Sequence, residues 1–252
     1  MEGANVSVTS LLIASSLVLV AMLFSASQKL RLEKDILWSV IRAVVQLILV
    51  GYVLEAVFGM DNPLFTTLLV LFMAVNAAFN TRKRGKGIRR VFLVSFVSIV
   101  TGTALTLTIL VASGAIQYVP DQIIPVSGMV VNNAMVAIGL CYRQILADFS
   151  TRREDIETKL SLGADILPSA IEIIRDSIRT GMLPTIDSAK TLGIVSLPGM
   201  MTGLILAGTP PVMAIRYQIM VTFMLLSTTS IASFLACYLS YRSFFNDYKQ
   251  LR

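Results

Sequence analysis

The stretch PLFTTLLVLFMAVNAAFNTRKRGKGIRRVFLVSFVSIVTGTALTLTILVAS, residues 63–113, decides the fold. Two apolar runs, each about the ~20 residues a helix needs to cross a ~30 Å hydrocarbon core, flank a connection that carries six Lys or Arg in ten positions. A Lys/Arg-rich loop between two spans is held on the cytoplasmic side of a membrane, so this loop fixes both the class of the protein and its orientation.

Working outward, five more runs of the same kind appear: Val6–Ala26, Ile36–Phe58, Ile123–Leu146, Thr191–Gly208 and Pro211–Leu239, beside Pro63–Phe79 and Val91–Ser113. Of 21 Lys and Arg, 19 fall in four segments at every second position between or after the runs. These are Lys29 to Lys34, the loop 81–90, the long stretch Arg143 to Lys190, and the tail with Arg242, Lys249 and Arg252. The connections around Asp61, Asp121 and Thr209 hold no Lys or Arg. The pattern predicts an all-α integral membrane protein with about seven transmembrane helices, the N-terminus outside and the C-terminus in the cytoplasm. It is read as one transmembrane domain over residues 1–252, multi-pass in the cell (inner or plasma) membrane. The first run is a retained span and not a cleaved signal, since residues 1–10 carry only Glu2 where a signal needs a basic start.

Composition supports that class. The chain is 55% hydrophobic and 14% charged with a mean hydropathy of +0.76, well below the roughly quarter charged fraction of a soluble domain. Its net charge of +6 is the cytoplasmic bias of the loops and not a nucleic-acid footprint. Cys141 and Cys237 are far apart in sequence and there is no histidine, so neither a zinc site nor a disulfide framework is indicated.

The cytoplasmic segment 143–190 reads as helical. Thr151-Arg-Arg-Glu154 has the form of a capping box, which predicts a helix starting there and stopping at Gly163. A second helix is expected from Ile166 to Ile178, with Ile171, Ile174 and Ile178 on one face. An ordered connection this long is uncommon unless it works, so the pair is a candidate interaction surface, with the membrane surface or the bundle as the alternative partner.

Inside the apolar runs, polar and helix-weakening residues concentrate in two places. Run five holds Pro125, Gly128, Asn132 and Asn133, and the Thr191–Gly208 run holds Pro198, Gly199, Met200, Met201, Thr202 and Gly203. Amides cannot face lipid with their donors unsatisfied, so Asn132 and Asn133 either line a path or join helices. Gly199 and Gly203 form a GxxxG face suited to close helix packing. Arg42 and Arg216 lie near the membrane surfaces, where long side chains snorkel. There is no GxSxG, HExxH or GxxxxGK[ST], so no residue set supports catalysis or nucleotide binding by this chain.

The stretches PVSGMVVNNAM (125–135), ETKLSLGAD (157–165), LPGMMTGLILAGTPPVMAIRYQ (197–218) and RAVVQLILVGYVL (42–54) resemble the Fet-type iron-export permease family over nearly the whole chain. Asn132 and Leu204 depart from the family's pattern, which tends to glycine and glutamine there. The resemblance implies the permease subunit of an ABC transporter, exporting iron or a related metal species, that dimerises with a second copy of itself and docks a separate ATPase. It implies no cofactor in this chain, with ATP and Mg in the partner. Glu157 and Gly163 have the spacing of the EAA-type loop that enters such an ATPase, which places coupling at Glu154, Glu157, Leu160 and Gly163. The expected substrate path is Asn132, Asn133, Met200, Met201 and Thr202, with Gly199 and Gly203 in helix packing and metal ligands unassigned. A secondary transporter or channel and a non-transporting membrane scaffold are the competing classes, the first disfavoured by the lack of an ionisable residue at midmembrane and of an inverted repeat.

Overall fold

The computed structural model describes residues 7–59 and 62–252; Val6 and Asp61, where a run and a connection are expected, lie outside them. The helices are α1 (Val8–Ser27), α2 (Glu33–Phe58), α3 (Pro63–Arg82), α4 (Val91–Ala112), α5 (Pro120–Thr151), α6 (Arg153–Ser161), α7 (Ile166–Thr191), α8 (Gly199–Leu206) and α9 (Pro211–Ser240), with a 3₁₀ turn at Tyr241–Phe244. The helices α1 and α2, with residues 206–209, form one compact unit and the rest of the chain a second.

In the first unit, Ser25 organises the turn between the two helices: its hydroxyl donates to Glu33 Oε1 at 2.9 Å and accepts from the Leu32 amide at 3.1 Å. Arg42 is exposed on α2.

The second unit is built around α5. This helix packs against α3, α4, α7 and α9, and more than half of its apolar window is buried. Small residues bring the helices close: Ala74, Ala77 and Ala78 of α3, Ala134 and Ala137 of α5, Ala232 and Ala236 of α9. Hydroxyls join the helices where no water competes. Thr106 and Thr228 share a 2.7 Å hydrogen bond between α4 and α9, and Ser95 and Tyr142 a 3.0 Å bond between α4 and α5. Cys141 and Cys237, remote in sequence, are buried neighbours where α5 meets α9.

Among the described residues, six helices are long and apolar enough to cross a membrane: α1, α2, α3, α4, α5 and α9. The Thr191–Gly208 run is not a seventh such helix. Residues 192–198 are irregular, with Gly193 at φ +79°, and only the eight-residue α8 follows. The element running beside α5 and α9 at that point is α7, a 26-residue helix of about 39 Å that continues past Ile178, where the second helix was expected to end. Its start, Ile166, packs on the cluster containing Phe149 of α5 and Phe245 after α9, while its later residue Gly181 lies against Ala137 and Ser233. The helix α7 therefore runs antiparallel to both neighbours. Its inward face is Ser169, Ala170, Ile173, Ile174, Ser177 and Gly181, and its Asp176 pairs with Arg152 at 3.1 Å.

The capping box is also corrected. The helix α5 continues through Thr151, whose hydroxyl donates back to the Ala147 carbonyl at 3.0 Å, and α6 starts at Arg153 after a single irregular residue, Arg152. A threonine inside a helix gains its back-bond and is not available as a cap. The expected stop at Gly163 is present, at φ +91° with the Ala164 amide donating to the Lys159 carbonyl at 3.0 Å.

Candidate substrate cavity and docking groove

A cavity of about 260 Å³ opens where α5, α7 and α9 meet the break before α8. Its polar lining is Asn133, Thr185, Ser188, Gln218 and Thr222, with Pro184 and Pro198. Asn133, Gln218 and Thr222 each keep an oxygen free to accept. The Asn133 amide nitrogen is taken by the Met129 carbonyl at 2.8 Å, which leaves Oδ1 as the group it can offer. Gln218 is nine-tenths buried, and its Oε1 has no hydrogen-bond partner among the described residues. Thr222 donates to the Gln218 carbonyl at 2.9 Å and keeps its lone pairs. Pro184, inside α7, cannot donate to the Thr180 carbonyl. An unpaired buried amide oxygen costs roughly 1–3 kcal/mol, so Gln218 Oε1 is ready to accept a hydrogen bond from what enters the cavity.

The cavity offers uncharged oxygens. It contains no carboxylate, and no group of three or more His, Cys, Asp or Glu suited to a metal exists among the described residues. Such a lining makes weak contacts with a hard cation or with the oxygens of a complexed one, and it cannot replace a full ligand set.

Of the expected path residues, Asn133 reaches this cavity. Asn132 is exposed on another face of α5, with Pro125 exposed and Gly128 half-exposed beside it. Met200 packs against the cluster of Val126, Val130 and Val221, Met201 is half-buried outside the cavity, and Thr202 donates to the Pro198 carbonyl at 3.0 Å. A Cβ added at Gly199 or Gly203 would meet nothing within 4 Å, so the GxxxG face has no partner within the described chain. Thr185, Ser188, Gln218 and Thr222 were not singled out from the sequence; the i, i+4 pair Gln218 and Thr222 inside an apolar run was the available signal.

At the basic end of the bundle a groove of about 700 Å³ runs between α6, the turn 162–165 and the C-terminal tail. It is lined by Glu157, Leu160, Ser161, Gly163, Tyr248 and Leu251, which brings together three of the four expected coupling residues. Glu154 lies in the first turn of α6, where its charge suits the helix dipole. Glu157 pairs with Arg153 at 2.7 Å, and Leu162, 83% exposed, projects from the turn. Lys249 ties the tail to the start of α7 through Asp165 at 2.6 Å. The hydrogen bond from Lys249, with its charge, holds the Asp165 carboxyl below the usual range. That tether is complete at neutral pH and is lost only as pH falls through the depressed value.

Apolar helices of bilayer length, packed by small residues around an uncharged oxygen-lined cavity, define a multi-pass membrane protein. The chain belongs to the family described as "Uncharacterised protein family (UPF0014)", matched over residues 8–245. It is 53% identical over 251 residues to the "Probable iron export permease protein FetB" of Escherichia coli (strain K12), covering 100% of this chain and 97% of the relative. It is 37% identical to the "UPF0014 membrane protein YjkA" of Bacillus subtilis (strain 168), covering 96% and 97%, and 35% identical to the "Protein ALUMINUM SENSITIVE 3" of Arabidopsis thaliana, covering 93% and 86%. No solved structure matches the chain.

Proposed function

We propose that this chain is the membrane permease subunit of an ABC exporter for iron or a related hard metal species, driven by a separate ATPase that binds ATP and Mg. The observation that carries the reading is the 53% identity, over the full chain, to a protein named as an iron export permease. A plant relative is named for aluminium sensitivity, which is in keeping with a hard-cation cargo. In this reading cargo passes through the Asn133–Gln218 cavity, and the ATPase engages the groove at the α6–α7 turn, with Leu162 as the exposed knob. The helix α7 joins the two, since it starts at the turn and ends at the cavity. A single helix that reaches from one to the other can transmit a motor movement to the cargo site without further elements.

Two copies make the working unit, because two ATP sites of an ABC motor need two docking surfaces. The face Pro125, Gly128 and Asn132 of α5 supports this, since an exposed amide in a spanning helix needs cover other than lipid.

Orientation is tested by cysteine substitution. Leu162→Cys and Tyr248→Cys should react only with reagent admitted to the cytoplasmic side, and Gln117→Cys and Asp121→Cys only from outside. The native cysteines are buried and give no background. Labelling of position 162 from outside would invert the topology and sink the docking assignment.

Coupling is tested at Gly163. A β-branched residue at φ +91° costs about 2 kcal/mol or more, but nothing lies within 4 Å of the site, so the strain stays in the turn. Gly163→Val should keep normal membrane abundance and lose most ATPase association, measured by co-purification. Full association and full transport in this variant would move the docking site elsewhere.

A further inference from the structure

A second and larger groove, about 1,040 Å³, lies at the basic end where α4, α9 and the start of α7 meet. Its two halves differ in chemistry. One wall is Leu93, Val97 and Leu239, each 40–52% exposed on helices of spanning length. Leu93 and Val97 stand one turn apart on α4, so with Leu239 of α9 they make an apolar track along the seam between the two helices. The other half carries Arg89, Arg90, Arg242, Lys249 and Arg252 against two carboxylates, Asp165 and Asp247, and Asp165 is already taken by Lys249. Among the described residues no carboxylate pairs with Arg89, Arg90 or Arg242. Arg242 is instead oriented by its own neighbour, donating from Nε to the Tyr241 hydroxyl at 3.2 Å, which leaves its terminal nitrogens for a ligand. The start of α4 adds to the demand for an anion. Arg90 caps it with φ +56°, no side chain accepts from its first amides and no acidic residue sits in its first turn.

We propose that this groove binds an anionic phospholipid, with the headgroup phosphate held by Arg89, Arg90 and Arg242 at the start of α4 and one acyl chain lying along Leu93, Val97 and Leu239. A phosphate matches the fork geometry of arginine and the positive end of a helix. The apolar continuation is what separates a lipid from a free anion, and the location at the end of the apolar bands puts the headgroup at the membrane surface. An acidic segment of a protein partner would satisfy the arginines but not the track.

The test uses the purified full chain in detergent, titrated with phosphatidylglycerol, phosphatidylcholine or inorganic phosphate, with retained lipid read by native mass spectrometry. The wild type should hold phosphatidylglycerol about tenfold or more over phosphatidylcholine, with inorganic phosphate a poor competitor. Each arginine at such a surface contributes roughly fivefold, so Arg89→Gln/Arg90→Gln/Arg242→Gln should lose about a hundredfold. The control Arg82→Gln/Lys83→Gln/Lys86→Gln removes the same charge from the same loop outside the groove and should bind as wild type. Should the triple groove variant not accumulate, Arg242→Gln alone, on an exposed side chain, should lose about fivefold. Equal loss in the control would reduce the effect to diffuse charge and overturn the site. Competition by inorganic phosphate as strong as that by the lipid would overturn the acyl track. Loss of a co-purifying ATPase by the groove variant with phosphatidylglycerol retained would give the groove to the protein partner instead.

Discussion

Gly181→Leu should leave little folded permease in the membrane, and even Gly181→Ala should lower the thermal midpoint of the purified chain by several degrees. A Cβ at this position would fall on the Cys141 sulfur and lie 2.9 Å from both the Ala137 carbonyl oxygen and Ser233 Oγ. Alanine gains about 1 kcal/mol over glycine in helix propensity, whereas overpacking a filled interior costs roughly 1–3 kcal/mol. The second effect wins because one of the obstructing atoms belongs to the backbone of α5 and cannot rotate away. Leucine adds three more carbons to the same gap. Gly51→Ala serves as the control, since nothing lies within 4 Å of a Cβ there and the substitution should be neutral or stabilising by up to about 1 kcal/mol. A Gly181→Ala chain that melts at or above the wild-type temperature would mean that α7 does not sit between α5 and α9 as described.

The second large effect is expected at Gln218, and its sign separates function from structure. Gln218→Leu removes a buried amide whose Oε1 has no partner, so stability should stay unchanged or rise. Metal-stimulated ATP hydrolysis per folded complex should nevertheless fall about tenfold or more, because the cavity loses one of its two amide oxygens. Asn133→Leu should reduce stimulation likewise and cost some stability, since its bond to the Met129 carbonyl is lost. If Gln218→Leu destabilised the chain and left stimulation per molecule intact, the amide would be a helix-joining group and the cargo path would lie elsewhere.

The sequence reveals this protein unevenly, for physical reasons that can be traced to particular helices. Helices α1 to α5 and α9 announce themselves because their apolar runs are as long as the bilayer is thick. The helix α7 does not, because it meets α5 and α9 through Ser169, Ala170, Ser177 and Gly181, and carries Glu172, Arg175, Asp176 and Arg179 on its remaining surface. Hydropathy measures transfer to lipid, and a helix that buries one small-residue face against its neighbours need not resemble lipid. The opposite error occurs at Thr191–Gly208, which is apolar enough to span but is broken by Gly193 and Pro198. At the cavity, Asn133 is visible from sequence as an amide in a span. Thr185 and Ser188 are hidden because they lie on α7, and Gln218 because only the packing of three helices turns it toward the same space. The nearness of Cys141 and Cys237 is likewise a property of helix register between α5 and α9 and leaves no trace in their spacing.

In the proposed transporter, ATP hydrolysis by a docked partner moves metal through this chain. The direct measurement is ATP-dependent uptake of radioactive iron into inside-out vesicles containing the chain with its ATPase, compared with the chain alone, the complex without ATP, and the complex carrying Gln218→Leu. Uptake is expected from the complete complex only, reduced about tenfold or more by Gln218→Leu. Equal iron uptake by the chain alone, without ATP or partner, would contradict it and identify a channel or secondary transporter instead.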